Sequence, residues 1–210
     1  MMVRIILIRH GESEGNKEGL FRGRWDFPLT QNGIEQAEAL QKELKDFDIS
    51  AIYSSPLKRA HDTAKIVALP HQLDVVIDEN FNNICLGEWE GKPKEYIKEH
   101  YPDLWKIWIT EPEKLRFPDI ETLDMVMERS VNRLRELVQL HSEGTFAIVT
   151  HRAVLKPLIA GILEMTPPYF WKIHMDTASY SILEYDKVRG YTLSLLNQTK
   201  HIKKLIKEYF

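Results

Sequence analysis

Arg4-Ile5-Ile6-Leu7-Ile8-Arg9-His10-Gly11-Glu12-Ser13 is an apolar run that ends abruptly in a cation, an imidazole and a glycine. Val3 and Ile5 to Ile8 are aliphatic without alternation, which reads as a strand buried on both faces. His10 then sits at the carboxyl end of that strand, where open α/β sheets bind small molecules. The same grammar returns at Thr145-Phe146-Ala147-Ile148-Val149-Thr150-His151-Arg152. Each of these two buried strands ends in a histidine with an arginine beside it. Paired as parallel neighbours, they bring both imidazoles to one edge of one sheet.

Working outward, residues 11–29 read as a charged, glycine-containing loop that carries Asn16, Arg22, Gly23 and Arg24. Thr30 opens a helix whose inward stripe is Ile34, Ala37, Leu40, Leu44 and Phe47. Its capping box is incomplete, because Gly33 stands where a Glu would close it. A short strand, Ile49 to Tyr53, precedes Ser54-Ser55-Pro56, in which Ser55 reads as the cap and Pro56 as the first residue of the next helix. Leu73 to Ile77 is a third strand, and residues 78–92 form a connection with little periodicity. A helix over 93–109, aromatic through Tyr96, Tyr101, Trp105 and Trp108, is split by Pro102. Thr122 to Leu140 is a long amphipathic helix. A helix near 153–162 contains Pro157, and 166–172 reads as a short helix. Residues 178–184 and 191–195 form a closing pair of strands, and residues 200–210 read as a C-terminal tail helix with Ile202, Leu205, Ile206 and Tyr209 on one face. Alternating strands and helices make the class α/β, a three-layer sandwich with a largely parallel central sheet flanked by helices, in a single domain over 1–210.

Composition narrows the function classes. The chain has 210 residues, 43% hydrophobic and 28% charged, enough for one sizeable core. A net charge of -3 gives no nucleic-acid footprint, and no apolar stretch approaches a membrane span. One cysteine, Cys85, has no partner for an intramolecular disulfide, which points to the cytoplasm. No His-Glu-x-x-His or Cys-x-x-Cys spacing occurs, so no metal and no cofactor is expected.

The candidate chemistry is that of phosphate. An imidazole attacks phosphorus or accepts a proton when unprotonated. Arg9 and Arg59 offer rigid forks of donors to a phosphoryl group, with Arg59 near the positive end of its helix. His151 is a second phosphate donor or a partner for His10. His61, His71, His100 and His141 read as solvated side chains, and His174 and His201 stay unassigned on this basis.

Arg9-His10-Gly11-Glu12-Ser13, Asn16, Ser54-Ser55-Pro56-Leu57-Lys58-Arg59-Ala60, Gly87-Glu88-Trp89-Glu90-Gly91 and Thr150-His151 together resemble the histidine phosphatase superfamily, the phosphoglycerate mutase-like branch. Within it the chain is similar to the compact metal-independent phosphoserine phosphatases, through Glu111-Pro112-Glu113-Lys114, Phe170-Trp171, Asp176 to Ser181, Leu196-Asn197, Thr199 and His201. The resemblance implies that a substrate phosphorylates His10 and that water hydrolyses the phosphohistidine. Arg9, Arg59 and His151 would form the phosphate pocket and Asn16 would bind the transferred group. Arg22 and Gly23 would contact substrate or phosphate, and His201 would take part in substrate recognition. The implied ligand is a small phosphorylated metabolite such as phosphoserine.

One position departs from the pattern. The family's proton-donating glutamate lies four residues before the glycine of Gly87-Glu88-Trp89-Glu90-Gly91, and here that residue is Asn83, an amide that cannot protonate an alkoxide. Glu79 and Glu88 are the nearby candidates for the acid. An alternative reading is therefore a weakly active or non-catalytic phosphate-binding subunit. A phosphoglycerate mutase is a further alternative, disfavoured because residues 101–118 contain Arg116 but no arginine pair. The aromatic residues near 96–108 and the tail suggest a homodimer, or a heterodimer with a related subunit.

Overall fold

A computed structural model describes residues 2–205. In chain order the elements are β1 (Met2–Arg9), α1 (Glu14–Lys17), α2 (Gln31–Leu44), β2 (Ile49–Ser54), α3 (Lys58–Ala68), β3 (Val75–Ile77), α4 (Lys94–His100), α5 (Pro102–Thr110), α6 (Leu123–His141), β4 (Gly144–Thr150), α7 (Arg152–Ile162), β5 (Tyr180–Asp186) and β6 (Gly190–Gln198). The strands form one sheet in the order β3-β2-β4-β1-β5-β6. β1, β2, β3 and β4 run parallel to one another, and β5 and β6 join as an antiparallel edge.

The two central strands, β1 and β4, are buried on both faces, as their unbroken apolar runs require. Ile6, Ile8, Ala147 and Val149 pack against Leu40 and Leu44 of α2 and Ala60, Ala64 and Val67 of α3. Ile5, Leu7, Phe146 and Ile148 face the opposite layer, where α6 contributes Leu134 and Leu137 and α7 contributes Leu155 and Leu158. These are the three layers read from the sequence. No helix among the described residues is long and apolar enough to cross a membrane.

Several local expectations are corrected. Residues 14–17 form a short helix inside the expected loop. α3 begins at Lys58 rather than Pro56, and Ser55 does not cap it. The Ser55 hydroxyl is engaged elsewhere, in a contact that sequence spacing does not show. The third strand shrinks to Val75–Ile77, because Leu73 lies outside it against the helical layer. Within 166–172 only Phe170–Lys172 is helical, as one 3₁₀ turn. Pro102 does divide the aromatic helix into α4 and α5, and α7 runs continuously through Pro157. In the tail, residues 200–205 form turn and bend rather than helix, while residues 206–210 lie outside the described residues.

The incomplete capping box at Thr30 has a steric cause. Thr30 Oγ1 accepts the Gly33 N–H at 3.0 Å, so half of the cap is present. A Cβ on Gly33 would come within 2.0 Å of the Glu12 carbonyl oxygen, and one on Gly11 within 2.5 Å of the Gly33 carbonyl. The loop after β1 therefore lies directly on the first turn of α2. The buried Glu12 carboxylate fastens that approach by accepting Thr30 Oγ1–H at 2.6 Å and Asn32 Nδ2–H at 3.0 Å. Gly33→Ala is expected to destabilise the fold by about 1–3 kcal/mol, the usual cost of forcing a methyl into packed backbone. Thermal unfolding of the variant measures this; an unchanged midpoint would contradict the close approach.

Candidate active site

The parallel pairing of β1 with β4 sets Arg9 opposite Thr150, so the next residue of each strand is a histidine. The His10 and His151 rings lie 5.1 Å apart, centroid to centroid, tilted by 59°. The backbone around His10 is fixed from both sides: its N–H donates to the Thr150 carbonyl at 3.0 Å, and its carbonyl accepts from Ala178 N–H at 3.0 Å. Gly11 N–H, next along, donates to Thr63 Oγ1 of α3 at 3.1 Å.

His10 Nδ1 lies 2.6 Å from the Gly11 carbonyl oxygen. A carbonyl only accepts, so Nδ1 carries the proton and the lone pair is left on Nε2. Burial, followed by the charges of Arg59 and Arg9, holds the His10 imidazole well below its ordinary range. A rigid, neutral imidazole with one committed nitrogen is a nucleophile or base in waiting. His151 is likewise held well below its ordinary range, by burial first and then by Arg59 and His10. Its Nε2 is 2.8 Å from Ser55 Oγ, and its buried Nδ1 has no hydrogen-bond partner among the described residues. If Ser55 Oγ–H donates to Nε2, His151 Nδ1 bears the proton and becomes a donor to a ligand.

The cations are placed by backbone carbonyls. Arg9 donates to the Met175 carbonyl at 2.7 Å. Arg59, fully buried near the start of α3, donates to the carbonyls of Gly23 and Trp25, each at 2.9 Å. Burial, and then the charge of Arg22, brings its guanidinium down to about 9, still a cation at neutral pH. Arg9, His10, Arg22, Gly23, Asn83, Lys94, His151 and Arg152 line one cleft, walled by Phe21, Trp108 and Phe170. No Asp or Glu is among the described residues that line it. That combination suits an anion.

Asn16 and His201 fall elsewhere, while Gly23 lines the cleft. Asn16 does not line this cleft; its Oδ1 accepts from the Ser13 N–H and hydroxyl at the start of α1. Gly23 contributes its carbonyl, shared between Arg59 and Asn83 Nδ2 at 2.7 Å, with a positive φ of 47° that glycine adopts at no steric cost. His201 is not in the cleft. Its Nε2 meets the Ala178 carbonyl at 3.0 Å, and it lines a separate groove against α2 with Gln36 and Glu43. His141, expected to be solvated, stacks on Phe146 and bonds the Tyr53 hydroxyl at 2.9 Å.

Neither acid candidate reaches the cleft. Glu79 is exposed and accepts from Asn82 Nδ2 at 3.0 Å, and Glu88 is exposed and accepts from the Tyr101 hydroxyl. The 3₁₀ turns at Glu79–Phe81 and Gly87–Trp89 project both carboxylates outward. Asn83 does line the cleft, buried, with Oδ1 unpartnered among the described residues. Its carbonyl accepts from Arg24 and Arg129, and Arg129 is locked to Glu121 at 2.6 Å, so the amide is held firmly in place.

Sequence reasoning gave no role to Ser55 beyond capping and none to Lys94, Arg152, Thr63 or Met175. Ser55 and Thr63 carried a faint signal as polar residues beside Arg59; the Met175 carbonyl carried none.

Comparison with known proteins gives the same assignment. Residues 5–199 match the family described as the histidine phosphatase superfamily (branch 1). The chain is 35% identical over 201 residues to phosphoserine phosphatase 1 of Hydrogenobacter thermophilus, covering 96% of this chain and 95% of that one. It is 34% identical to a 2,3-bisphosphoglycerate-dependent phosphoglycerate mutase of Thermoplasma acidophilum, covering 96% of each. Among solved structures, Bacillus stearothermophilus YhfR superposes with a TM-score of 0.91 at 31% identity, covering 96% of this chain and 100% of that one.

The depressed imidazoles have a consequence for stability. Unfolded, both titrate near 6.5; folded, both lie well below that value. Below pH 6.5 the unfolded chain binds protons that the native one refuses. Their contribution is present above pH 6.5 and is lost as pH falls toward the folded values. The urea midpoint is expected to drop between pH 7.5 and pH 5.5, with both ring signals neutral by NMR at pH 6.5. A native His10 that protonates at or above pH 6.5 would contradict the burial argument.

Proposed function

Since this chain belongs to the histidine phosphatase superfamily, branch 1, and is a phosphatase, we propose that it hydrolyses small phosphomonoesters through a phosphohistidine at His10, with phosphoserine as the preferred substrate. The observation that carries this reading is the neutral His10 imidazole, pinned through Nδ1 to the Gly11 carbonyl, beside Arg9 and His151. In the first step His10 Nε2 attacks phosphorus and the ester P–O bond breaks, releasing the alcohol. In the second, water attacks the phosphohistidine, the P–N bond breaks, and inorganic phosphate leaves with neutral His10 restored. Arg9, Arg59 and Arg22 neutralise the phosphoryl oxygens, and His151 Nδ1 donates to the charge that develops on them. Phosphoserine as substrate is supported by the likeness to phosphoserine phosphatase 1.

Asn83 shapes the first step. No carboxyl among the described residues stands ready to protonate the departing oxygen, so that proton comes from water. Alcohols of low pKa then leave more readily than alkyl ones. The same observation supports the second reading, a weakly active subunit that binds phosphate beside a more active relative. The mutase reading is less favoured, because Arg116 is spent on Asp124 at 2.8 Å and on nearby carbonyls and does not line the cleft.

Phosphate release from phosphoserine, 3-phosphoglycerate and p-nitrophenyl phosphate, in EDTA, tests the proposal on wild type, H10A and N83E. Acid-labile ³²P on the wild-type protein and loss of turnover in H10A are the expected results. Full turnover in H10A would overturn the assignment. A general acid contributes roughly 10²–10⁴-fold, so Asn83→Glu is expected to raise turnover of phosphoserine much more than that of p-nitrophenyl phosphate. An equal change for both would show that the missing acid is not limiting.

A further inference from the structure

Asn197 and His201, near the end of the described chain, line no part of the cleft, yet both hold the turn that receives Arg9 and His10. That turn, residues 175–179, makes three contacts with the end of β1 and the residue after it. The Met175 carbonyl accepts Arg9 Nη1–H at 2.7 Å, and the Ser179 carbonyl accepts the Arg9 N–H at 3.0 Å. The Ala178 N–H donates to the His10 carbonyl at 3.0 Å. β4 fixes His10 on its nitrogen side, through the Thr150 carbonyl, and this turn fixes it on its carbonyl side.

The turn is not self-supporting. Ala178 is fully buried with a φ of 51°, in the left-handed region that a residue with a Cβ holds only when its surroundings fix it. The bond that closes the turn, from Ser179 N–H to the Asp176 carbonyl, is long at 3.3 Å. Support comes from β6 and the residues after it. Tyr180 and Ile182 pair with Gln198 and Leu195, so two residues of β6, Leu196 and Asn197, face Ser181 alone. Such a bulge re-aims a side chain. Asn197 Oδ1 accepts the Asp176 N–H at 2.7 Å, and its Nδ2 donates to the Asp176 carboxylate at 2.9 Å. His201 Nε2 then lies 3.0 Å from the Ala178 carbonyl. A carbonyl only accepts, so Nε2 carries the proton and donates. The buried Nδ1 has no partner among the described residues, so moving the proton there would forfeit the bond and gain none. Both backbone polar groups of Ala178 are thus committed, one to His201 and one to His10.

We propose that His201 is a positioning residue for the nucleophile. By holding the Ala178 carbonyl it fixes the N–H that holds the His10 backbone, and with it the aim of His10 Nε2. This rests on the reading of His10 as the nucleophile. The other phosphate partners are held independently: Arg59 by the Gly23 and Trp25 carbonyls, and His151 by Ser55. His201 therefore acts on the chemical step and not on anion affinity.

With enzyme in excess, release of p-nitrophenol from p-nitrophenyl phosphate reads phosphorylation of His10 directly. Calorimetric titration with inorganic phosphate reads anion affinity. Both are measured on wild type, H201A and H201Q, the glutamine keeping an N–H donor. H201A is expected to slow release by about 10- to 100-fold, the scale of a small misplacement of a reacting group, with phosphate affinity unchanged. H201Q is expected to recover most of the rate. Unchanged release in H201A would overturn the proposal, as would equal losses in H201A and H201Q or a parallel loss of phosphate affinity. ¹⁵N spectra of the wild type supply a measurement that stands even if H201A does not fold. Neutral His201 is expected as the Nε2–H tautomer, and an Nδ1–H tautomer would overturn the bond to Ala178. A wild type with no His10-dependent release would fault the phosphatase reading, while the tautomer still tests the hold on Ala178, so the two failures are distinguishable.

Discussion

The hydrogen-bonded ladder between β1 and β4 is the constraint on which the rest depends. Its register places Arg9 opposite Thr150, and the backbone bond from His10 to the Thr150 carbonyl carries the pairing one residue further. A slip of one residue would turn every side chain to the other face, sending the imidazoles apart and the aliphatic residues out of their layers. Two separate cores, one against α2 and α3 and one against α6 and α7, oppose that slip from both faces. The hydrophobic pattern that builds the sheet therefore also sets the distance between the two histidines.

Around that pair, backbone carbonyls hold the buried guanidinium groups in place. Arg9 and Arg59 are buried cations, and a buried cation is costly unless its protons are met. Met175, Gly23 and Trp25 meet them with carbonyl oxygens. Carbonyls satisfy hydrogen bonds without cancelling formal charge. Burial first, and then the charges of the neighbouring arginines, hold His10 and His151 well below their ordinary range. Several acidic side chains have structural tasks: Glu12 ties the loop after β1 to α2, Glu113 holds the aromatic wall, and Glu121 anchors Arg129.

Much of this was legible in the sequence because it is written locally. Two aliphatic runs ending in histidine carried the central strands, the parallel pairing and the imidazole pair. Arg9 and Arg22 followed from adjacency and resemblance, and both line the cleft. The misses are long-range. Whether Glu79 or Glu88 could supply a proton depended on two 3₁₀ turns that no periodicity announces. Ser55 looked like a helix cap because its sequence neighbours suit one, yet its hydroxyl answers to His151, 96 residues away. His201 matched by position in a motif, but the turn around Ala178 sets it against α2.

The Gly23 carbonyl receives both the Arg59 guanidinium and the Asn83 amide. The buried cation of α3 and the amide that lines the cleft are thereby joined through one oxygen. An ionised carboxylate at position 83 could not donate to that oxygen, and it would compete for the proton Arg59 now places there. Substitutions at 59 and 83 are therefore expected to be non-additive, coupled through a main-chain atom that neither side chain supplies.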